Sequence, residues 1–280
     1  MIPLILTILC STSIALILKH NDTRSGNAIV LLCGNYFVAS LASLYFLITA
    51  DGDHFSIYSL IFGLFLGGLF VISFFAFARA VGIAGAALAT VSSRLSVIVP
   101  LILSIIIFKE HPNIYQLIGF LFTLLTIILF YKSLNNNGEN KIHFKNYFYL
   151  IVVLLGIGVN DFCMKIFQEW RPAGEKPLFM FAIFTSAFLL TLTVILVKGI
   201  RLEKSVIQLG LLLGVPNMFS TFFMLAALAQ LAGIIVYSVT NIGIILLTSL
   251  LALIIWNEKL NHFGQLALLS GVIAIVLMGM

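Results

Sequence analysis

Charged residues are scarce in this sequence. Only 9% of the 280 residues are Asp, Glu, Lys or Arg, whereas 61% are hydrophobic, and the mean hydropathy is +1.18. A soluble domain of this size needs more polar side chains than this to cover its surface. The composition therefore excludes a soluble globular protein and indicates that lipid surrounds most of the chain. The net charge of +5 is spread over short connections, without the basic stripe that nucleic-acid binding requires.

Neither the cysteines nor the histidines indicate a metal site or a catalytic site. The three cysteines all fall inside apolar runs, without metal-ligand spacing, so we expect buried thiols and no disulfide or metal site. The five histidines lie in loops or at the ends of apolar runs. The sequence lacks Gly-x-Ser-x-Gly, His-Glu-x-x-His and the Gly-x-x-x-x-Gly-Lys-Ser/Thr segment that binds ATP. These absences argue against an intramembrane enzyme and an ATP-driven pump, and we expect no cofactor.

Long apolar runs are what the sequence has in abundance. They have the length of about 20 residues that a membrane-spanning helix needs, and they lack the period-two alternation of barrel strands. The sequence therefore predicts an all-α integral membrane protein with ten transmembrane helices, at about 2–18, 28–49, 57–78, 84–107, 114–132, 147–167, 178–197, 205–228, 233–256 and 262–279.

The second half of the sequence repeats the first at an offset of about 148 residues. Phe74-Phe75 returns as Phe222-Phe223, and Glu110 returns as Glu258. We predict a first five-helix repeat at 1–134, a linker at 135–146 and a second five-helix repeat at 147–280. Because five is odd, the second repeat enters the membrane from the opposite side, which makes the repeats inverted and puts both termini on one side.

The layout resembles that of the EamA-like members of the drug/metabolite transporter superfamily. The stretches that carry the resemblance are 96–110 with 115–119 in the first half and 248–258 with 263–267 in the second. Helix 9 has Thr248 where Pro100 stands in helix 4, and the first helix lacks the Trp-Gly pair of many members. The resemblance implies secondary transport by alternating access, with a central cavity between the halves and both termini in the cytoplasm. The distribution of Lys and Arg favours the opposite orientation, with both termini outside. The orientation therefore stays open.

Our functional hypothesis is a secondary carrier of a small polar metabolite, such as an amino acid or another anion, with proton coupling as an option. The alternative is a passive facilitator or uncoupled exchanger of the same fold. The expected partners are this small molecule and the lipid bilayer, with no nucleic acid, and the chain is expected to be a monomer or a weak homodimer. The short connections suit a bacterial inner (plasma) membrane.

Arg94 is the most informative single residue, because a guanidinium in the middle of an apolar run must face the protein interior or a wet cavity. It is either an anchor for a carboxylate or phosphate of the substrate, or half of a structural ion pair with an internal acid. Asp161 is the natural partner. It is a candidate proton relay, a cation site or the counter-ion of Arg94; alternatively it pairs with Lys165 one turn later. Lys165 itself is expected to extend to the membrane surface.

Other polar groups inside the apolar runs complete the predicted substrate site. Besides Arg94 and Asp161 these are Asn160, Asn241, Ser93, Asn35, Tyr36 and Tyr237, for each of which hydrogen bonding between helices is the alternative role. Gly156 and Gly158 indicate either a loosened helix or close packing. Pro100 and Pro216 are hinge candidates, because each removes a backbone hydrogen bond. Glu110 is interpreted as a solvated or loop-capping carboxylate.

Overall fold

The protein is all-helical, as predicted. The computed structural model describes residues 1–23, 26–50, 55–84, 86–134, 144–256 and 261–280, and these ranges contain α-helices and one 3₁₀ turn (Ala173–Glu175) but no strand. The helices are α1 (Ile2–Thr23), α2 (Ala28–Thr49), α3 (Ile57–Ala84), α4 (Ala86–Leu95), α5 (Ile98–Ile107), α6 (Ile114–Leu134), α7 (Phe144–Trp170), α8 (Lys176–Lys198), α9 (Lys204–Leu228), α10 (Gly233–Trp256) and α11 (His262–Met278).

The helices have the length and composition of a multi-pass membrane protein. Among the described residues, eight helices are long and apolar enough to cross a membrane, and the stretch Ser92–Ile107 and α11 are shorter apolar segments. Large apolar side chains cover the outside of the protein, for example Ile48 and Val197, which are 73% and 80% exposed. Such exposure is stable only where hydrocarbon is the solvent.

The predicted helix at 84–107 is wrong in one respect, because it is interrupted between α4 and α5. At the break, the amide of Val97 bonds the carbonyl of Arg94 at 3.3 Å and the amide of Val99 bonds that of Ser96 at 3.0 Å. Pro100 explains the position of the break, since its ring clashes with the carbonyl four residues earlier, that of Ser96. Pro216 acts differently, because α9 continues through it.

Side-chain caps and one glycine set several helix ends. The Asn27 side chain accepts a hydrogen bond from the amide of Ile29 (2.9 Å) at the start of α2. Asn261 accepts one from Gly264 (2.9 Å) at the start of α11. Gly199 ends α8 with a φ of 58°, a left-handed conformation that glycine adopts without strain. Residues in the short connections thus mark where α8 ends and where α2 and α11 begin.

The chain divides into two compact units. The first unit contains Met1–Val71 and Ile166–Ala229, and the second contains Ile72–Lys165 and Gln230–Met280. Each unit contains residues from both halves of the sequence, so the two units do not correspond to the two predicted repeats. The repeats stay a prediction. Of the predicted linker at 135–146, residues 135–143 lie outside the described residues, as does Glu258, and α7 already begins at Phe144.

In the first unit, α2 packs against both α8 and α9, and α1 packs against α9. A buried cluster that includes Val30, Leu31, Ile195 and Leu213 holds these helices together. Since Val30 and Leu31 pack near Ile195 while the Phe37 and Phe188 rings lie 5.4 Å apart, α2 and α8 run antiparallel.

In the second unit, α6 packs along the whole of α11. Ser270 of α11 donates to the carbonyl of Phe122 (3.2 Å), and the Asn261 side chain, just before α11, donates to the carbonyl of Ser133 near the end of α6 (3.0 Å). The residue numbers run in opposite directions along the contact, so these two helices are also antiparallel.

Candidate functional site

The candidate site lies in the second unit and is built on one face of α10. Gly233, Tyr237 and Asn241 follow each other at intervals of four residues, which places them on the same side of a helix. Each of the three forms a hydrogen bond with another segment of this unit. A further polar pair, Ser238 and Thr240, is buried on the same helix. The middle of α10 therefore offers polar groups where an apolar span would be expected to have none.

Arg94 lies near the end of α4 and points to this face. Its Nη1 donates to Oδ1 of Asn241 at 3.4 Å, while Nδ2 of Asn241 donates to the carbonyl of Tyr237 at 3.0 Å. The amide of Asn241 is thus held in one orientation by its own helix and by the guanidinium. Nε of Arg94 is buried and has no hydrogen-bond partner among the described residues. The guanidinium therefore keeps donors available for an anion.

Asp161, on α7, supplies the negative charge next to Arg94. Its carboxylate interacts electrostatically with the guanidinium. Asp161 is partly exposed, and the hydroxyl of Tyr237 donates to its backbone carbonyl at 2.7 Å. The structure thus brings Arg94, Asp161, Tyr237 and Asn241 together. The sequence predicted Asp161 as the partner of Arg94 and gave Tyr237 and Asn241 as further members of the substrate site.

Lys165 does not behave as the sequence suggested. The residue is only 3% exposed, so the expectation that it reaches the membrane surface is wrong. Its Nζ forms an ion pair of 3.0 Å with Oε1 of Glu110 and lies 5.8 Å from the ring centroid of Phe108. A buried ammonium requires an acid nearby, but spacing along the sequence favoured Asp161, one turn away, over the remote Glu110.

Glu110 caps the start of α10, so the interpretation of a solvated carboxylate is wrong, and the segment that it caps is a helix and not a loop. Its Oε1 accepts the backbone N–H of Gly233 at 2.9 Å, and its side chain is 12% exposed. One carboxylate oxygen therefore serves both the ammonium of Lys165 and the first orphan amide of α10. The sequence gives one indication of this pair: Lys165 lies in an apolar run and needs a counter-ion.

The glycines before Asp161 permit close packing, and α7 is continuous through them. A Cβ at Gly158 would lie 2.5 Å from Cβ of Val99, and one at Gly156 would lie 2.6 Å from Oγ of Ser73. Asn160, between these glycines and Asp161, donates from Nδ2 to Oγ of Ser73 at 3.1 Å. Its Oδ1 is buried and has no partner among the described residues. The interpretation of a loosened helix is therefore wrong.

The remaining candidates are not part of this cluster. Ser93 donates back to the carbonyl of Thr90 in its own helix at 2.8 Å. Asn35 and Tyr36 lie on α2 in the first unit, where they are 3% and 5% exposed, and Pro216 lies on α9 of the same unit. Asn35, Tyr36 and Pro216 therefore belong to a different unit from Arg94, whereas Ser93 shares the unit of Arg94.

Comparison with known proteins identifies the relationship that the layout suggested. Residues 1–132 match the EamA-like transporter family. The predicted resemblance to the EamA-like transporters is thus confirmed, and the matching family is one of membrane transporters.

Two further similarities cover almost the whole chain. A Haemophilus influenzae protein named only as an uncharacterized protein is 28% identical over 287 residues, which cover 97% of this chain and 95% of that protein. A solved crystal structure aligns with 99% of this chain and 94% of its own with a TM-score of 0.80, at 13% identity. At this level of identity the structural likeness shows that the fold is shared and carries no functional information.

Proposed function

We propose that this EamA-like protein is a secondary transporter that moves a small polar metabolite across the membrane by alternating access. The observation that carries the proposal is the guanidinium of Arg94. It is fixed by one long hydrogen bond to Asn241, lies beside the charge of Asp161 and retains a buried Nε without a partner among the described residues. A group that served only structure would be expected to have its donors satisfied. The unpartnered Nε of Arg94 is therefore consistent with a site in which a bound ligand accepts its hydrogen bond.

The substrate class follows from the two charges. A planar guanidinium binds a carboxylate with two parallel hydrogen bonds, so an anionic group of the substrate fits Arg94. Asp161 then loses part of its favourable interaction with Arg94 and needs a cation, either a proton or an ammonium group of the substrate itself. Amino acids and other small organic anions satisfy these requirements. Asp161 is the candidate for proton coupling.

The proposed architecture is ten spans in two inverted repeats, with the Ser92–Ile107 stretch and α11 completing the eight longer helices. Two observations support it. Ser270 of α11 bonds Phe122 of α6, which is its counterpart at an offset of 148 residues, and these helices are antiparallel. Helices α2 and α8, which are counterparts at the same offset, are also antiparallel in the first unit. Equivalent helices of inverted repeats must run in opposite directions.

The remaining parts of the proposal are those that the sequence led us to expect. Both termini lie on one side of a bacterial inner membrane, and the protein works as a monomer or a weak homodimer without a cofactor. Asn35 and Tyr36 on α2 add hydrogen-bonding groups to the substrate path, and Pro100 and Pro216 serve as hinges.

The test is transport by purified protein in proteoliposomes. A panel of amino acids and short organic acids is first screened for a rise in melting temperature, because a ligand that binds only the folded state stabilises it. Counterflow of a labelled hit is then measured for Arg94→Ala, Arg94→Lys and Asp161→Asn. We expect a loss of at least tenfold in the first and third, with a smaller loss for Lys, which keeps the charge but not the fork.

Arg201→Ala is the matched control, because Arg201 is exposed on the connection before α9. It should transport like the wild type. Correctly folded Arg94→Ala and Asp161→Asn proteins with normal counterflow would overturn the site. Uptake against a substrate gradient, driven by an imposed pH gradient, separates a coupled carrier from a passive facilitator.

A further inference from the structure

The first unit contains an apolar groove between α2, α8 and α9 that the proposed substrate site does not use. Its volume is about 310 Å³, which is the size of a small-molecule site. The residues that bound it include Val30 and Phe37 of α2, Phe188 and Ile195 of α8, Leu202 of the α8–α9 connection and Leu211 of α9. Val30 and Ile195 are buried, whereas Phe37, Leu202 and Leu211 are exposed. The groove therefore has a packed floor and opens to the outside of the protein.

The groove follows the helix axes, which is also the general direction of the acyl chains in a bilayer. Val30 and Phe37 are seven residues apart on α2, as are Ile195 and Phe188 on α8, and each interval covers about 10 Å along its helix. The rings of Phe37 and Phe188, 5.4 Å apart, mark the far end. Leu202 marks the near end, at the connection between α8 and α9. The groove thus begins at the membrane surface and runs towards the membrane interior.

Hydrocarbon is the filling that suits this groove. The side chains that bound it carry no polar atom apart from the thiol of Cys33. Apolar spaces of this kind do not retain water and instead take up apolar molecules. A helix of a second copy is too large, because a 10 Å length of helix with its side chains fills roughly 800 Å³ or more. A flexible hydrocarbon chain fits the volume and the direction of the groove.

The near end of the groove carries positive charge. The segment 198–204, which contains Leu202, has three basic residues, Lys198, Arg201 and Lys204, and one acidic residue, Glu203. All four charged residues are exposed, and no described residue forms an ion pair with either lysine. Basic side chains at the membrane surface attract anionic lipid headgroups. Charge complementarity therefore favours an anionic phospholipid over a zwitterionic one.

We propose that this groove binds one acyl chain of an anionic phospholipid, whose phosphate is contacted by Lys198 and Lys204. These lysines end α8 and begin α9, and their long side chains reach a headgroup at the mouth of the groove. The bound lipid covers the contact between Val30 and Ile195 and joins the two helix ends. The site is independent of the Arg94 cluster, which lies in the other unit.

The first experiment needs no variant. Native mass spectrometry measures which lipid the purified wild-type protein retains from an equal mixture of phosphatidylglycerol and phosphatidylcholine with the same acyl chains. We expect one phosphatidylglycerol per protein and a preference of roughly tenfold or more, since each basic residue near the surface favours an anionic headgroup about fivefold. Phosphatidylglycerol should also raise the melting temperature by roughly 2–5 °C relative to phosphatidylcholine.

A variant that fills the groove tests the place of the acyl chain. Leu192 bounds the groove on α8, so Leu192→Trp should abolish the retention of phosphatidylglycerol. Ile48→Trp is the matched control, because Ile48 is 73% exposed on α2 and does not bound the groove. It should retain the lipid like the wild type.

A charge variant tests the headgroup contact. Replacement of both lysines, Lys198→Gln with Lys204→Gln, should remove the preference for phosphatidylglycerol without lowering the melting temperature in phosphatidylcholine. Lys109→Gln with Lys132→Gln removes the same charge at exposed positions of the other unit and should keep the preference.

Three results would overturn the proposal: equal retention of the two lipids by the wild type, an undiminished preference in the Lys198 and Lys204 double variant, or undiminished retention in Leu192→Trp. The first two do not depend on the folding of Leu192→Trp. A lipid-free dimer that Leu192→Trp dissociates would also overturn it, because the groove would then be an interface between two copies of this chain.

Discussion

Lys165 and Glu110 form an ion pair of 3.0 Å in which the side chains are only 4% and 12% exposed. The same carboxylate oxygen accepts the first backbone amide of α10, that of Gly233. The pair therefore connects α7 to the segment after α5 and to the start of the helix that carries Tyr237 and Asn241. The ion pair therefore positions the candidate site, although neither of its two residues belongs to that site.

Removal of one member of this pair should be far more damaging than removal of both. Lys165→Met or Glu110→Gln alone should each lower the free energy of unfolding by about 3–5 kcal/mol, because the remaining buried charge loses its partner. The double variant should lose much less than the sum, since the Gln oxygen still accepts the Gly233 amide. A double-mutant cycle measured by unfolding in bicelles checks this. Additive losses would show that the two charges do not interact.

The phenol of Tyr237 should stabilise the fold through its hydrogen bond to the Asp161 carbonyl. The residue is fully buried and the bond is 2.7 Å long. Tyr237→Phe should lower the free energy of unfolding by about 0.5–1.5 kcal/mol, the usual net value of one hydrogen bond. Tyr45→Phe is the control, because Tyr45 is 65% exposed and should change stability little. Equal effects in the two variants would contradict the prediction.

Gly158 should not tolerate even a methyl group. The added Cβ of Gly158→Ala would meet the Cβ of Val99 and the carbonyl of Ser96, at 2.5 and 2.8 Å. We expect a loss of about 1–3 kcal/mol in the free energy of unfolding. Gly68→Ala is the matched control in α3, where the nearest side-chain atom is 3.9 Å away and alanine should be neutral or stabilising. Thermal unfolding of both variants decides, and an unaffected Gly158→Ala protein would refute the close packing.

Arg171 should not be replaceable by lysine. Its Nε and Nη2 bind both oxygens of Glu175 and the hydroxyls of Ser59 and Ser56, at 2.7–3.2 Å. Lysine keeps the charge but cannot form the fork, so Arg171→Lys should lower the free energy of unfolding by about 1–3 kcal/mol. Arg201→Lys, at an exposed position, should have no measurable effect. A neutral Arg171→Lys substitution would show that charge alone holds the start of α3 to the turn before α8.

Much of the fold was accessible from local sequence. The apolar runs gave the bounds of α2 and α10 to the residue, because hydrophobicity and helix-capping residues act over a few positions. The break between α4 and α5 also has a local cause, but the apolar run continues through it and therefore predicted one uninterrupted helix. Pro100 indicated a disturbed helix without indicating that the helix ends at Leu95.

The candidate site was only partly predictable. Arg94 and Asp161 stand out in any apolar run, because an intramembrane charge needs a partner. Asn241 gained some support because it aligns with Ser93, next to Arg94, at the repeat offset, but Tyr237 was one of several polar residues that the sequence did not distinguish. Their roles follow from the orientation of α10 against α4 and α7, and nothing in the local sequence contains that orientation.

By itself the sequence determined that this chain is a helical membrane protein with a few charges inside it. That result rests on transfer free energies, which depend on composition and on the length of apolar runs. Only the tertiary structure decided which partner each charge meets: Lys165 takes Glu110 and not Asp161, while Lys176 meets an aromatic ring. Electrostatic interactions and hydrogen bonds act over a few ångströms in space, and the packing of distant helices sets those distances.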